Sequence, residues 1–169
     1  MTDASQDEAT DIDPAEYRRV LGHLPTGVTV ITAAGKDGPV GIAIGSFVSI
    51  SLDPPLVGFF LGTESTSWPA MEEGGHFCVN VLTSSQQELC ARMASRGEDK
   101  FVGVEYLPSP WSGAPMLADV HAVIDCSIAE VVPAGDHLLI MGRVHHLLTA
   151  EHDAGPMVFY KGQYGSFVG

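Results

Sequence analysis

Positive charge is scarce in this chain. Its 169 residues carry 8 Lys and Arg against 21 Asp and Glu, for a formal net charge of −13. Reading a phosphate backbone needs clustered basic residues, and so does holding an anionic membrane surface. Neither nucleic acid nor membrane lipid is therefore expected as a partner. Long apolar runs are missing as well. Stretches such as Pro54 to Leu61 fall far short of the ~20 residues of a spanning helix. Residues 1–13 are acidic and hold no hydrophobic stretch, unlike a signal peptide. The three cysteines, Cys78, Cys90 and Cys126, are odd in number and widely spaced. They fit neither a zinc site nor a disulfide framework and are expected to pack as small hydrophobes. The expected location is cytoplasmic.

Familiar catalytic signatures are also absent. There is no GxGxxG behind a strand and no GxxxxGK[ST] loop, so neither common nucleotide cradle is present. The seven histidines include no HExxH, and no Gly-x-Ser-x-Gly occurs. No metal is expected.

What is present is an apolar, weakly charged chain. Hydrophobic residues make up 45%, mean hydropathy is +0.16, and charged residues are only 17%, against about 25% in an average protein. Such a chain folds and buries much of itself, or buries a face against a partner. We expect residues 1–13 to form a disordered acidic tail and residues 14–169 a single domain.

Asp13 and Pro14 read as the cap and first position of a helix, with Tyr17, Val20, Leu21 and Leu24 at helical spacing and Gly22 and Pro25 ending it. Strand patterns then dominate: Val28 to Thr32, a glycine-interrupted run from Val40 to Ile50, Leu56 to Leu61, and Phe77 to Leu82. Val120 to Val132, His137 to Leu148, and Pro156 to Tyr160 complete the set. Helical turns are expected from Trp68 to Glu73, and from a capping box at Ser85 and Glu88 through Met93. Residues 95–118 read as irregular. Many strands, few helices and no strand–helix alternation point to a closed antiparallel barrel with short helical excursions. The 19 glycines suit its corners.

Three segments could carry chemistry. In the first, Thr63-Glu64-Ser65-Thr66-Ser67 precedes a helix start at Trp68-Pro69. Hydroxyls beside unpaired N–H groups make an anion cradle; alternatively Ser67 simply caps the helix. The second runs Gly41-Ile42-Ala43-Ile44-Gly45-Ser46-Phe47-Val48-Ser49-Ile50-Ser51. Its glycines signal a flat ligand against bare backbone or a barrel corner, and its serines offer small donors. In the third, Ala134-Gly135-Asp136-His137, a turn sets an Asp-His pair at the mouth of a strand. That pair could orient a ligand or be a surface hairpin.

Together these segments resemble the short-chain flavin reductases, the small partners of two-component flavin-dependent monooxygenases. The likeness spans about residues 15–168. It includes Leu24-Pro25-Thr26-Gly27-Val28-Thr29-Val30-Ile31-Thr32, Gly45 to Val57, Ser65-Thr66-Ser67-Trp68 and Gly75 to Leu82. Asp99-Lys100-Phe101, Ala134 to His137 and Phe159-Tyr160-Lys161-Gly162-Gln163-Tyr164 continue it. The order and spacing of these pieces, rather than any one of them, carry the likeness.

The resemblance implies a mainly β fold, the FMN-binding split barrel, an antiparallel Greek-key barrel that is usually a homodimer. It implies hydride transfer from NADH or NADPH to FMN or FAD, with reduced flavin supplied to a partner monooxygenase. It places the backbone of Gly41, Ile42, Ala43, Ile44, Gly45 and Ser46 against the isoalloxazine. It places Ser49, Ile50 and Ser51, with Ser65, Thr66 and Ser67, at the ribityl phosphate end, and Lys100 close to the flavin. It assigns His137 as the catalytic-site residue on the nicotinamide side, with Tyr160, Lys161, Gly162 and Tyr164. Many relatives read Thr-Ala-Asn-Ser where this chain has Ala43-Ile44-Gly45-Ser46, which removes two side-chain hydrogen bonds and leaves backbone contacts. They often carry a base near Glu64. The rival readings are a pyridoxamine-phosphate-oxidase-like enzyme, which would want more Arg and Lys, and a non-catalytic flavin carrier.

Overall fold

Asp13 opens the first helix as its position predicts. In the computed structural model, its carboxylate accepts the Ala15 N–H at 3.0 Å, and Pro14 stands at the first turn of α1 (Pro14–Leu21). The structure describes residues 12–97, 100–151 and 153–167. The expected acidic tail lies outside them except for Ile12 and Asp13.

Twelve strands and two more helices follow among the described residues: β1 (Thr26–Gly27), β2 (Thr29–Gly35), β3 (Gly38–Ile44), β4 (Val48–Ser51), β5 (Leu56–Gly62), α2 (Trp68–Gly74), β6 (His76–Val81), α3 (Gln87–Ala94), β7 (Tyr106–Pro108), β8 (Pro115–Leu117), β9 (Ala122–Ala134), β10 (His137–Thr149), β11 (Met157–Tyr160) and β12 (Gln163–Ser166). Seven strands form one antiparallel sheet in the order β3-β2-β6-β9-β10-β5-β4. Its two edge strands, β3 and β4, are joined by only residues 45–47. So short a link forces the sheet to curl until its edges meet, which makes the expected barrel. A three-stranded sheet, β1-β11-β12, and the β7–β8 pair complete the strands.

β2 is buried along both faces, which is why its β-branched run is continuous rather than alternating. Ile31 joins a cluster with Phe59, Phe77, Val79 and Ile140. Val30 joins a second cluster with Cys78, Cys90, Met93 and Leu117. The cysteines are free and buried, as expected. Phe59 and Phe77 meet edge to face at 5.3 Å, and a Cβ on Gly142 would run into the Phe77 ring.

Four features differ from the sequence expectation. The Val40–Ile50 run divides into β3 and β4 at Gly45. Residues 95–118 hold the β7–β8 pair, which Asn80 fastens by accepting the Leu117 N–H at 2.8 Å. No side-chain cap opens α3; instead Gln86 Oε1 accepts the Thr83 N–H at 3.0 Å, so the box-like contact lies ahead of Ser85. The apolar stripe of α1 is uncovered, with Tyr17, Val20, Leu21 and Leu24 between 47% and 64% exposed.

Candidate functional site

The hydroxyl loop leaves β5 at Gly62 and folds on itself. The Ser65 N–H donates to Gly62 O at 3.0 Å, and the Trp68 N–H to Ser65 O at 3.4 Å. Ser67 does not cap α2. It is buried, and its hydroxyl donates across to Gly41 O at 3.3 Å. The α2 helix has only seven residues, so the hydroxyls rather than a helix dipole define this corner. Thr66 is exposed. Ser65 Oγ is buried and has no hydrogen-bond partner among the described residues. A second donor reaches Gly41 O: Lys100 Nζ at 3.1 Å, which also donates to Met93 O at 3.0 Å. Burial holds the Lys100 ammonium below the usual lysine range. Thr66, Ser67, Gly41 and Lys100 line a cleft of about 620 Å³ that continues past the β2–β3 turn.

The same loop meets the Asp-His turn. The Thr63 N–H and hydroxyl both donate to Asp136 O, at 3.1 and 3.2 Å. His137 pairs across the sheet with Gly62. Its Nδ1 lies 2.6 Å from Asp136 Oδ1, and the imidazole holds that carboxylate below the usual range. Two of the three candidate segments therefore share one rim.

Side chains of the glycine-rich run are largely committed elsewhere. Ile42 and Ile44 pack into one core cluster, and Ala43 against the other. The bare face of Gly41 is filled: a Cβ there would lie 2.9 Å from Met93 Sδ and 3.1 Å from the Phe101 ring. A Cβ on Gly45 would lie 3.1 Å from Thr26 Oγ1. The Ser46 hydroxyl donates to Phe60 O at 3.1 Å and accepts the Phe60 N–H at 3.0 Å. Ser49, Ile50 and Ser51 sit on β4, where the register shifts between Ser49 and Ser51 so that Ile50 is the extra residue of a bulge.

Tyr160, Lys161, Gly162 and Tyr164 form the β11–β12 hairpin. Lys161 (φ 49°) and Gly162 (φ 77°) are both left-handed, the requirement of a two-residue hairpin turn that follows strand twist. The Lys161 N–H donates to Gly22 O at 2.9 Å, tying the hairpin to the end of α1. A second cleft, of about 580 Å³, is lined by His23, Pro25, Tyr160, Gln163 and Tyr164. Cys90 donates its thiol to Tyr164 Oη at 3.3 Å, and that contact pushes the phenol up to about 12. This hairpin reaches the glycine-rich run through Thr26, which pairs with Phe159 and abuts Gly45. Thr26 belongs to the motif at residues 24–32, whereas His23 and Phe60 were not singled out from the sequence. They join the site through space, with no local signal.

Residues 21–167 match the Flavin reductase like domain. The chain belongs to the flavin reductase-like family. It is 48% identical over 157 residues to a flavin reductase of Pseudomonas putida, covering 92% of this chain and 91% of that one. It is 47% identical to the flavin-dependent monooxygenase reductase subunit HsaB of Rhodococcus jostii, covering 92% and 79%. Two relatives at 38% identity are named as NADH-dependent FMN reductases. Among solved structures, the nitrilotriacetate monooxygenase component B homologue of Mycobacterium thermoresistibile superposes with a TM-score of 0.88 at 44% identity, covering 91% and 86%. The barrel described above is the split barrel of these flavin reductases.

The residues present fit a flavin. An unpartnered buried hydroxyl at Ser65 suits a phosphate oxygen, and Lys100 has one of its three N–H donors beyond its two carbonyl acceptors.

Proposed function

We propose that this chain is an NADH-dependent flavin reductase that reduces FMN and releases it to a partner flavin-dependent monooxygenase. The family match over residues 21–167 carries the reading. Bound flavin would supply the hydride acceptor and the dihydronicotinamide the donor. The protein's task is to hold two flat rings in register and keep water out. Such a task needs no nucleophile, metal or strong base, in keeping with the missing signatures.

Ser65, Thr66, Ser67 and Lys100 would hold the phosphate end of FMN, with Ser49, Ile50 and Ser51 near the ribityl chain. The main chain from Gly41 to Ser46 would edge the ring. His137, on the rim beside Thr63, would steady the nicotinamide nucleotide, with Tyr160 and Tyr164 of the second cleft and the Lys161-Gly162 turn between their strands. FAD shares the ring and first phosphate and is the alternative flavin. NADPH would need a base for its extra phosphate, and Lys161 is engaged over the Tyr160 ring at 5.3 Å.

We assign the working unit as a homodimer of one domain, residues 14–169, in the cytoplasm. Among the described residues no helix is long and apolar enough to cross a membrane. The uncovered α1 stripe and the exposed Val48, Ile50 and Leu52 of the β4 edge are faces for the second copy. Steady-state assays test the function: NADH consumption should depend on added FMN and saturate with it. Consumption no faster than in protein-free buffer would leave a flavin carrier.

A further inference from the structure

The Ser46 side chain occupies a place normally held by main chain. On the β4–β5 ladder, Val48 pairs with Gly58. Two residues on, the position opposite Phe60 falls to Ser46. In a continuing antiparallel ladder, the backbone N–H and C=O of residue 46 would bond both backbone groups of Phe60. Instead the Ser46 hydroxyl does both jobs, donating to Phe60 O at 3.1 Å and accepting the Phe60 N–H at 3.0 Å. Residues 45–47 are not in a strand, and among the described residues they make no backbone-to-backbone hydrogen bond. The hydroxyl satisfies the barrel seam while the main chain beside it is released.

Gly45 is exposed and Ser46 and Phe47 are half-buried, so peptide groups left without a protein partner there can take one from a ligand. On one side of the released segment stands Thr26, 3.1 Å from where a Gly45 Cβ would lie; on the other is the β5 seam. We infer that Ser46 is a positioning residue. By substituting for main chain opposite Phe60, it frees the peptide groups of Gly45, Ser46 and Phe47 to read the hydrogen-bonding edge of a flat heteroaromatic ring. This rests on the flavin reading above. It also accounts for Ala43 and Ile44: a ring read by peptide groups needs no polar side chain there.

Riboflavin separates the ring from the phosphate and is the probe. Amide hydrogen exchange on the parent protein should show Phe60 protected without ligand, and riboflavin should slow residues 45–47 while leaving Phe60 unchanged. Ser46→Ala should weaken riboflavin and FMN equally, by about tenfold to a hundredfold. Ser46→Thr, which keeps the hydroxyl, should restore affinity to within a few-fold. No change at residues 45–47 on riboflavin binding would overturn the inference, as would a folded Ser46→Ala protein with parental affinity. A parent protein that binds neither riboflavin nor FMN would instead refute the flavin reading itself.

Discussion

Lys100 Nζ donates to the carbonyl oxygen of Gly41 at 3.1 Å, on the same acceptor that the Ser67 hydroxyl reaches at 3.3 Å. A cation on neutral carbonyls in a cleft is held ready for an anion. Lys100→Met should weaken FMN about tenfold, equivalent to roughly 1.4 kcal/mol, and leave riboflavin within twofold. Fluorescence titration with the two flavins checks this. Because burial lowers the Lys100 pKa, its proton leaves below the pH at which an exposed lysine loses one. FMN affinity should therefore fall on the alkaline side in that window while riboflavin affinity holds. The unfolded chain keeps the proton longer, so this group's share of stability rises with pH across the same window.

Ser65 and Ser67 should behave differently despite their matching chemistry. Ser65 Oγ is buried without a partner among the described residues, so Ser65→Ala should raise the flavin-free melting temperature, by the equivalent of about 1 kcal/mol. It should cost FMN affinity and spare riboflavin. Ser67→Ala removes the bond to Gly41 O and should lower stability by about 1 kcal/mol. Equal loss of FMN and riboflavin in Ser65→Ala would contradict the phosphate role.

His137 opens β10 on the rim it shares with Thr63. His137→Ala should raise the KM for NADH and lower kcat/KM about tenfold, roughly 1.4 kcal/mol. Flavin affinity should not change. Steady-state kinetics at saturating FMN decide, and unchanged NADH parameters would make it an ordinary hairpin residue.

Asp136, which accepts from His137, has its pKa lowered chiefly by that hydrogen bond. Its contribution to stability is present above the carboxylate's unfolded pKa and is lost as pH falls through the lower folded value. In Asp136→Asn that acid-side loss should shrink, as seen in melting temperatures taken across the acid range.

The uncovered α1 stripe predicts a dimer. Sedimentation should give one species of twice the 17.9 kDa chain mass, and Val20→Glu with Leu21→Glu should shift it toward monomer. A parent that sediments at the single-chain mass at micromolar concentration would contradict the assignment.

Much of this fold was readable because its signals are local. Asp13-Pro14 starts a helix at once, and the β-branched run near Val30 and Ile31 marks a strand buried on both faces. The hydroxyl loop and the Asp136-His137 turn were each visible as chemistry. Their meeting was not, because it depends on Thr63 bonding Asp136 across more than seventy residues. The break at Gly45 was legible as a glycine corner, but the reason for it was not: a serine replacing main chain opposite Phe60 leaves no trace in the strand pattern. The buried Asp125 was likewise invisible. It is clasped by Ser109, by the Ser112 hydroxyl at 2.6 Å and by the Ser112 N–H at 3.1 Å, partners that come from a segment with no periodic signal. Ser67 was legible as a helix cap by position, yet tertiary contact with Gly41 took its hydroxyl instead.

Hydride transfer from NADH to flavin on this chain can be followed by its colour change. Anaerobic stopped-flow mixing of the protein and FMN with NADH tests it most directly, read at the visible absorption band of oxidised flavin. That band should bleach at a rate that rises with protein concentration and saturates with NADH. A band that fades no faster than in protein-free buffer would contradict hydride transfer on this chain.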